Sequence, residues 1–271
     1  MPLDKSCIGV VAGDKNLPVL LCRFAKKNKI PISVVGIKGS VDAKLFSVVG
    51  MRHYREFFIS QLSKTIKFFK SQNVKRVVII GGVNTAKLRI SFDVIRIFFR
   101  LLFVKNKYDG ILRIIISEFE KAGFKVVGIQ DLMPELLIEK GVVTDVLPSS
   151  LNMEDVEFGL PNAIKFASTD KGQSVIIKNK KIIAAEKFSG TDELILRAAK
   201  LVNSKGAILV KVLKPQQELR ADIPVIGVKT VKMLAKAGFD GIVVQAGCTI
   251  IENRKEVISV ANKLGVFILA V

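Results

Sequence analysis

Between two apolar runs the chain carries Lys214-Pro215-Gln216-Gln217-Glu218-Leu219-Arg220-Ala221-Asp222-Ile223-Pro224, its densest group of polar side chains. Proline fixes its own φ and turns the preceding residue away from helix, so two prolines make this a shaped, extended loop. The loop supplies cations (Lys214, Arg220), carboxylates (Glu218, Asp222) and a carboxamide (Gln217). Hydrolysis of a diphosphate uses that inventory. Cations and a metal offset charge on the phosphoryl oxygens, and a carboxylate such as Asp222 holds the metal or orients water. A solvated charged loop has the same composition, so residue types alone leave both readings open.

Three further segments have the form of anion sites. Gly9–Asn16, with Gly13 and Asp14, follows a predicted strand and opens a helix, where backbone N–H groups and the helix dipole favour a negative ligand. It is neither G-x-G-x-x-G nor a P-loop, which disfavours dehydrogenase and nucleoside-triphosphatase readings. Gly81-Gly82-Val83-Asn84 ends another predicted strand, and ligands bind at the carboxyl ends of parallel strands. Ser189-Gly190-Thr191-Asp192 opens a helix, with Thr191 a natural N-cap. An ordinary strand-to-helix turn and an ordinary cap explain these segments equally well.

One histidine, His53, and three scattered cysteines limit metal chemistry. They cannot build a His-rich two-metal centre or a Cys/His zinc site, so any metal must be held by oxygen, which suits Mg2+. The cysteines (Cys7, Cys22, Cys248) read as buried thiols in a reducing cytosol.

The elements that must position these residues alternate between strand and helix. Strands are predicted at Cys7–Ala12, Ile32–Ile37, Val77–Ile80 and Phe124–Ile129, with helices at Leu17–Asn28, Tyr54–Ser71 and Ile111–Lys121. That order implies a parallel sheet covered by helices, a Rossmann-like α/β domain over residues 1–135. Pro134, Gly141 and Pro148 break the pattern, so 136–152 reads as a linker. A second, mixed α/β domain is expected over 153–271, with the ligand cleft between the two. Its elements are a helix at Val156–Phe166, a hairpin around Asn179-Lys180, a helix at Asp192–Val202, strands at Ala207–Val212, Gly241–Val244 and Val266–Val271, and helices at Thr230–Lys236 and Asn253–Leu264. It carries the Lys214–Pro224 loop.

The formal charge is +19 over 271 residues. Residues 1–135 hold 24 Lys/Arg against 10 Asp/Glu, a surplus of 14, so the basic bias lies in the first half. Such a surface suits nucleic acid, anionic lipid or phosphorylated small molecules, or serves solubility alone. Leu88–Lys105 mixes apolar and basic residues, as a membrane-surface or acyl-chain segment does, and equally as a core helix with snorkelling arginines does. No apolar run is long enough to span a bilayer, and the N-terminus lacks a secretory layout.

Taken in order, these segments resemble the UDP-2,3-diacylglucosamine pyrophosphatase family of the LpxI type along nearly the whole chain. Gly9–Pro18 is similar to its glycine-rich start, and Asp109-Gly110-Ile111-Leu112-Arg113 to its Asp-x-Leu-Leu-Arg segment. Gly172-Gln173, Glu186 and Gly190-Thr191-Asp192 resemble its central motifs. Lys214-Pro-x-Gln217-x-x-Arg220-x-Asp222-x-Pro224 resembles its most specific signature, and Ala246-Gly247 and Arg254–Val257 follow in order. Departures are Asp14-Lys15 in place of glycines, Tyr108 for an aspartate, Ser189 for an acidic residue and Gln245 for glutamate.

The resemblance implies two α/β domains and magnesium-dependent attack of water on the diphosphate of UDP-2,3-diacylglucosamine. The products would be UMP and 2,3-diacylglucosamine 1-phosphate, on the route to lipid A. It implies a cytoplasmic enzyme of Gram-negative bacteria, meeting its substrate at the periphery of the inner membrane. Asp222 matches the family's essential carboxylate and is the expected metal ligand or water orienter. Lys214 and Arg220 are expected to offset diphosphate charge. Gly13, Asp14, Gly82, Asn84, Gln173, Thr191, Asp192 and Gln217 are expected to bind substrate. A non-catalytic basic module for nucleic acid or anionic membrane is the alternative, disfavoured because no aromatic–basic RNA-binding motif occurs. A nucleotide-sugar transferase would share the ligand but require an acceptor other than water.

Overall fold

A computed structural model describes residues 5–14, 16–41, 44–82, 107–187, 190–201 and 204–271. Asn84 and the Leu88–Lys105 segment lie outside the described residues. The chain divides into two compact units: Met1–Met133 with Glu218–Asp222, and Pro134–Gln217 with Ile223–Val271.

Unit 1 is a parallel sheet of β1 (Ile8–Ala12), β2 (Ile32–Ile37), β3 (Tyr54–Phe57), β4 (Arg76–Ile80) and β5 (Lys125–Val126), in the order β3-β2-β1-β4-β5. Helices α1 (Leu17–Lys27), α2 (Lys44–Val49), α3 (Leu62–Ser71), α4 (Lys107–Lys121) and the short α5 (Ile129–Leu132) intervene. Every residue of β1 is buried, as expected of a strand covered on both faces. The core centres on Phe69, Phe119 and Phe124, whose rings meet at centroid distances of 6.0–6.3 Å. Ala221 packs against this same core.

Unit 2 is a mixed sheet of β6 (Gly141–Val142), β7 (Ser174–Lys178), β8 (Lys181–Ala185), β9 (Ile208–Lys211), β11 (Gly241–Val244) and β13 (Phe267–Ala270), in the order β6-β13-β11-β9-β7-β8. The middle strands β9, β11 and β13 are parallel, and β6, β7 and β8 run antiparallel to their neighbours. A two-stranded parallel pair, β10 (Val225–Ile226) and β12 (Ile250–Ile251), completes it. Its helices are α6 (Ser150–Ser168), α7 (Thr191–Leu201), α8 (Val228–Ala237) and α9 (Arg254–Leu264). Asn179 and Lys180, both at positive φ, form the hairpin turn, and the Asp155 carboxylate accepts from both of their N–H groups. The architecture is therefore the expected pair of α/β units, the first Rossmann-like and parallel, the second mixed.

Three expectations change. Tyr54–Phe57, read as the start of a helix, is β3, and the helix begins at Leu62. Phe124–Ile129, read as one strand, keeps only two ladder residues before turning into α5. The stretch 136–152 is part of unit 2 throughout. Ile138 is buried in its core, β6 pairs with β13, the Ile268 N–H donates to Thr144 Oγ1, and Ser149 caps α6.

Candidate active site

In unit 1 the strand order reverses between β1 and β4, the switch point at which open α/β sheets bind ligands. The turns after these strands meet there. The Gly13 N–H donates to Ile80 O at 2.8 Å, and the Asp14 N–H donates to Gly82 O at 2.9 Å. A methyl group on Gly13 would lie 2.1 Å from Gly82 O, and one on Gly82 would lie 2.4 Å from Asp14 Oδ1. These glycines let two backbones touch. The Gly13 and Asp14 N–H groups, expected to face a ligand, both donate within the protein.

Residues 218–222, expected in the second domain with the rest of the Lys214–Pro224 loop, belong instead to unit 1 and are held there by a charged clamp. Arg220 donates through Nε and Nη2 to the two Glu218 carboxylate oxygens at 2.8 and 2.9 Å, and through Nη1 to Glu120 Oε1 on α4 at 2.7 Å. These acceptors push the Arg220 pKa further up, and the Arg220 guanidinium holds the Glu218 carboxyl below its usual range. Gln130 Nε2 donates to Leu219 O at 3.1 Å, and the Ala221 and Asp222 N–H groups both donate to Glu218 O. Asp222, half-buried, therefore sits at the end of a braced turn. Arg220, expected as a diphosphate cation, spends its fork on two carboxylates.

In unit 2 the loop begins as a β-turn with Pro215 at its second position, closed by Gln217 N–H to Lys214 O at 3.0 Å. The buried Gln217 side chain also accepts from the Lys214 N–H, at 3.2 Å, so its oxygen shapes the turn. Lys214 Nζ pairs with Asp170 Oδ1 at 3.0 Å. Gln245 Oε1 accepts from the Leu213 N–H at 2.6 Å, which a carboxamide oxygen does as well as a carboxylate. Thr191 opens α7 with its hydroxyl 3.3 Å from Ser174 Oγ and 3.5 Å from Lys211 Nζ. The Asp192 carboxylate pairs with Lys229 of α8. Gln173 follows Gly172, and its N–H donates to Glu186 Oε2 at 3.3 Å, while its own Oε1 is buried with no partner. Such an orphan acceptor at a site edge calls for a donor.

Sequence reasoning missed Asp170, Glu120, Ser174 and Lys211. For Lys211 the signal was present: one lysine within an apolar strand, Ile208-Leu209-Val210-Lys211. For the others the pairings join residues far apart in sequence, and only the fold reveals them.

Comparison with known proteins bears on all of this. Residues 7–136 match the LpxI N-terminal domain model and residues 139–269 the LpxI C-terminal domain model. The chain is 29% identical over 275 residues to the UDP-2,3-diacylglucosamine pyrophosphatase LpxI of Caulobacter vibrioides, an alignment that covers 97% of each protein. These findings correct the magnesium-dependent reaction expected from sequence. The relative's name gives a pyrophosphatase activity and no metal. Among the described residues no three His, Cys, Asp or Glu side chains group to hold an ion. Glu218, the acidic residue nearest Asp222 in the loop, is committed to Arg220.

Proposed function

The chain belongs to the LpxI family, and on that premise we propose that it hydrolyses the diphosphate of UDP-2,3-diacylglucosamine on the route to lipid A. Membership makes it a hydrolase of a phosphoanhydride. The observation that carries the reading is that LpxI models account for both of its units, with the Lys214–Pro224 signature intact.

Water adds to one phosphorus, the bridging P–O bond breaks, and the proton that water loses passes by way of Asp222 to solvent. Cutting that bond gives UMP and 2,3-diacylglucosamine 1-phosphate. In this reading Asp222 orients the water and takes up its proton as the new bond forms. The braced turn that ends at Asp222 supports the role, because a carboxylate must be held to place water usefully. Lys214 draws charge from the phosphoryl oxygens. Its partner Asp170 keeps the ammonium aimed until an anion with more charge competes for it. Thr191 and the Gln173 carboxamide contact substrate. Arg220 serves the site by anchoring the turn.

The substrate carries two acyl chains, so the reading has the enzyme in the cytoplasm, meeting lipid at the inner membrane surface. No helix among the described residues is long and apolar enough to cross a membrane. The excess of lysine and arginine in residues 1–135 supports attraction to anionic headgroups. A binding module without activity accounts for the charge but not for an LpxI match along both units.

Asp222→Asn tests the assignment. The folded variant should release UMP about 1,000-fold more slowly than the wild type. Turnover near the wild-type rate, with an unchanged melting curve, would remove Asp222 from this role.

A further inference from the structure

The polar cluster around Lys211 is not explained by packing. Lys211 ends β9 and is only 8% exposed. It pairs across the sheet with Ser174 of β7 and with Val244 of β11. The alternate residues on its face, Leu209, Ile176 and Ile242, belong to the apolar core. A lysine with only a structural task at a strand end extends its ammonium to water. This one is buried as a residue, with its ammonium within reach of the Thr191 hydroxyl.

Proton inventory then constrains its neighbours. An ammonium has three donors and no acceptor, so Thr191 Oγ1, 3.5 Å away, must accept from it. The Thr191 hydroxyl has one proton of its own to place. Ser174 Oγ, 3.3 Å away and fully buried, either takes that proton or donates its own. When Ser174 Oγ donates to Thr191 Oγ1, the Thr191 proton is directed away from the trio. Of the three residues Thr191 alone is half-buried rather than buried, so it is the outlet of the network, at the carboxyl end of a parallel strand.

We propose that Lys211 is a positioning residue for the hydrolysis: through the Thr191 hydroxyl it presents one fixed hydrogen-bond donor to a phosphoryl oxygen of the nucleotide-sugar diphosphate. The inference rests on the hydrolase reading above. Ser174 completes it by donating to Thr191 Oγ1, which frees the Thr191 proton for the substrate. No bond of the cluster is made or broken. Its contribution is a donor already oriented when charge builds on the phosphoryl group.

A double-mutant cycle on the full chain tests this, with UMP release from UDP-2,3-diacylglucosamine as the readout. Lys211→Met and Thr191→Val are each expected to lower kcat about 100-fold, with KM changed less than about threefold. Because one acts through the other, the double variant should be no slower than the slower single variant. The inference is overturned if folded Lys211→Met keeps wild-type kcat, or if the double variant loses the product of the two single factors. Should Lys211→Met fail to fold, Lys211→Arg and Lys211→Gln carry the comparison. The charged variant should retain about tenfold more kcat, and equal losses would overturn the inference. A wild-type protein that releases no UMP refutes the hydrolase reading and this inference together. An active wild type with an unaffected Lys211→Met refutes this inference alone.

Discussion

Arg220 and Asp222 are two residues apart in one signature, yet their surroundings differ. Arg220 faces Glu218 and Glu120, so its positive charge is matched before any ligand arrives. Sequence presents both as candidates for chemistry, because a guanidinium has the same formula whether it meets a phosphate or two carboxylates. Glu218→Gln should separate the roles. Arg220 is 37% exposed, so solvent screens the pair and its loss should cost only about 1 kcal/mol near neutral pH. The sign of its pH dependence follows from the lowered Glu218 pKa. The stabilisation is complete above the ordinary glutamate value of 4.5 and fades as pH falls through the lowered folded value. Urea titrations of wild type and Glu218→Gln should therefore differ near neutrality and converge in acid. A constant gap across that range would contradict the clamp.

At the scale of elements, fold class was legible because the apolar runs of both units are strands buried on two faces, as in Ile8–Ala12 and Gly241–Val244. Tyr54–Phe57 was misread because Phe57, Phe58, Leu62, Ile66 and Phe69 mimic helical spacing across a strand, a turn and a helix. The 136–152 stretch was misread because turn residues punctuate a segment that still pairs with β13. The glycine turns were found from sequence, but their reason was not. Gly13 and Gly82 are required by the contact between two strand ends, which no local pattern encodes. Gly13→Ala should therefore cost about 3 kcal/mol, since backbone cannot yield as a side chain does. Gly123→Ala, at φ +94° with open space around it, should cost only the left-handed backbone strain, about 1–2 kcal/mol. Chemical denaturation of both variants checks the order, and equal losses would contradict it.

Over the whole molecule, the net charge of +19 is what the proposed attraction to anionic headgroups draws on. Sedimentation with vesicles should show binding to anionic but not zwitterionic lipid, weakening as salt shortens the Debye length to about 8 Å at physiological strength. Salt-insensitive binding would assign the charge to solubility. Each unit has its own core, with Phe69 at the centre of one and Phe267 buried in the other. Neither core explains why Lys211 is inside or why Asp222 ends a braced turn. Those features acquire a reason if water is the acceptor in a diphosphate cleavage. The most direct measurement is turnover of UDP-2,3-diacylglucosamine in 18O-labelled water with no other acceptor supplied, followed by mass analysis of the products. The account predicts UMP and 2,3-diacylglucosamine 1-phosphate, one of them carrying a single heavy oxygen. Intact substrate would contradict it, as would products in which neither phosphate carries the label.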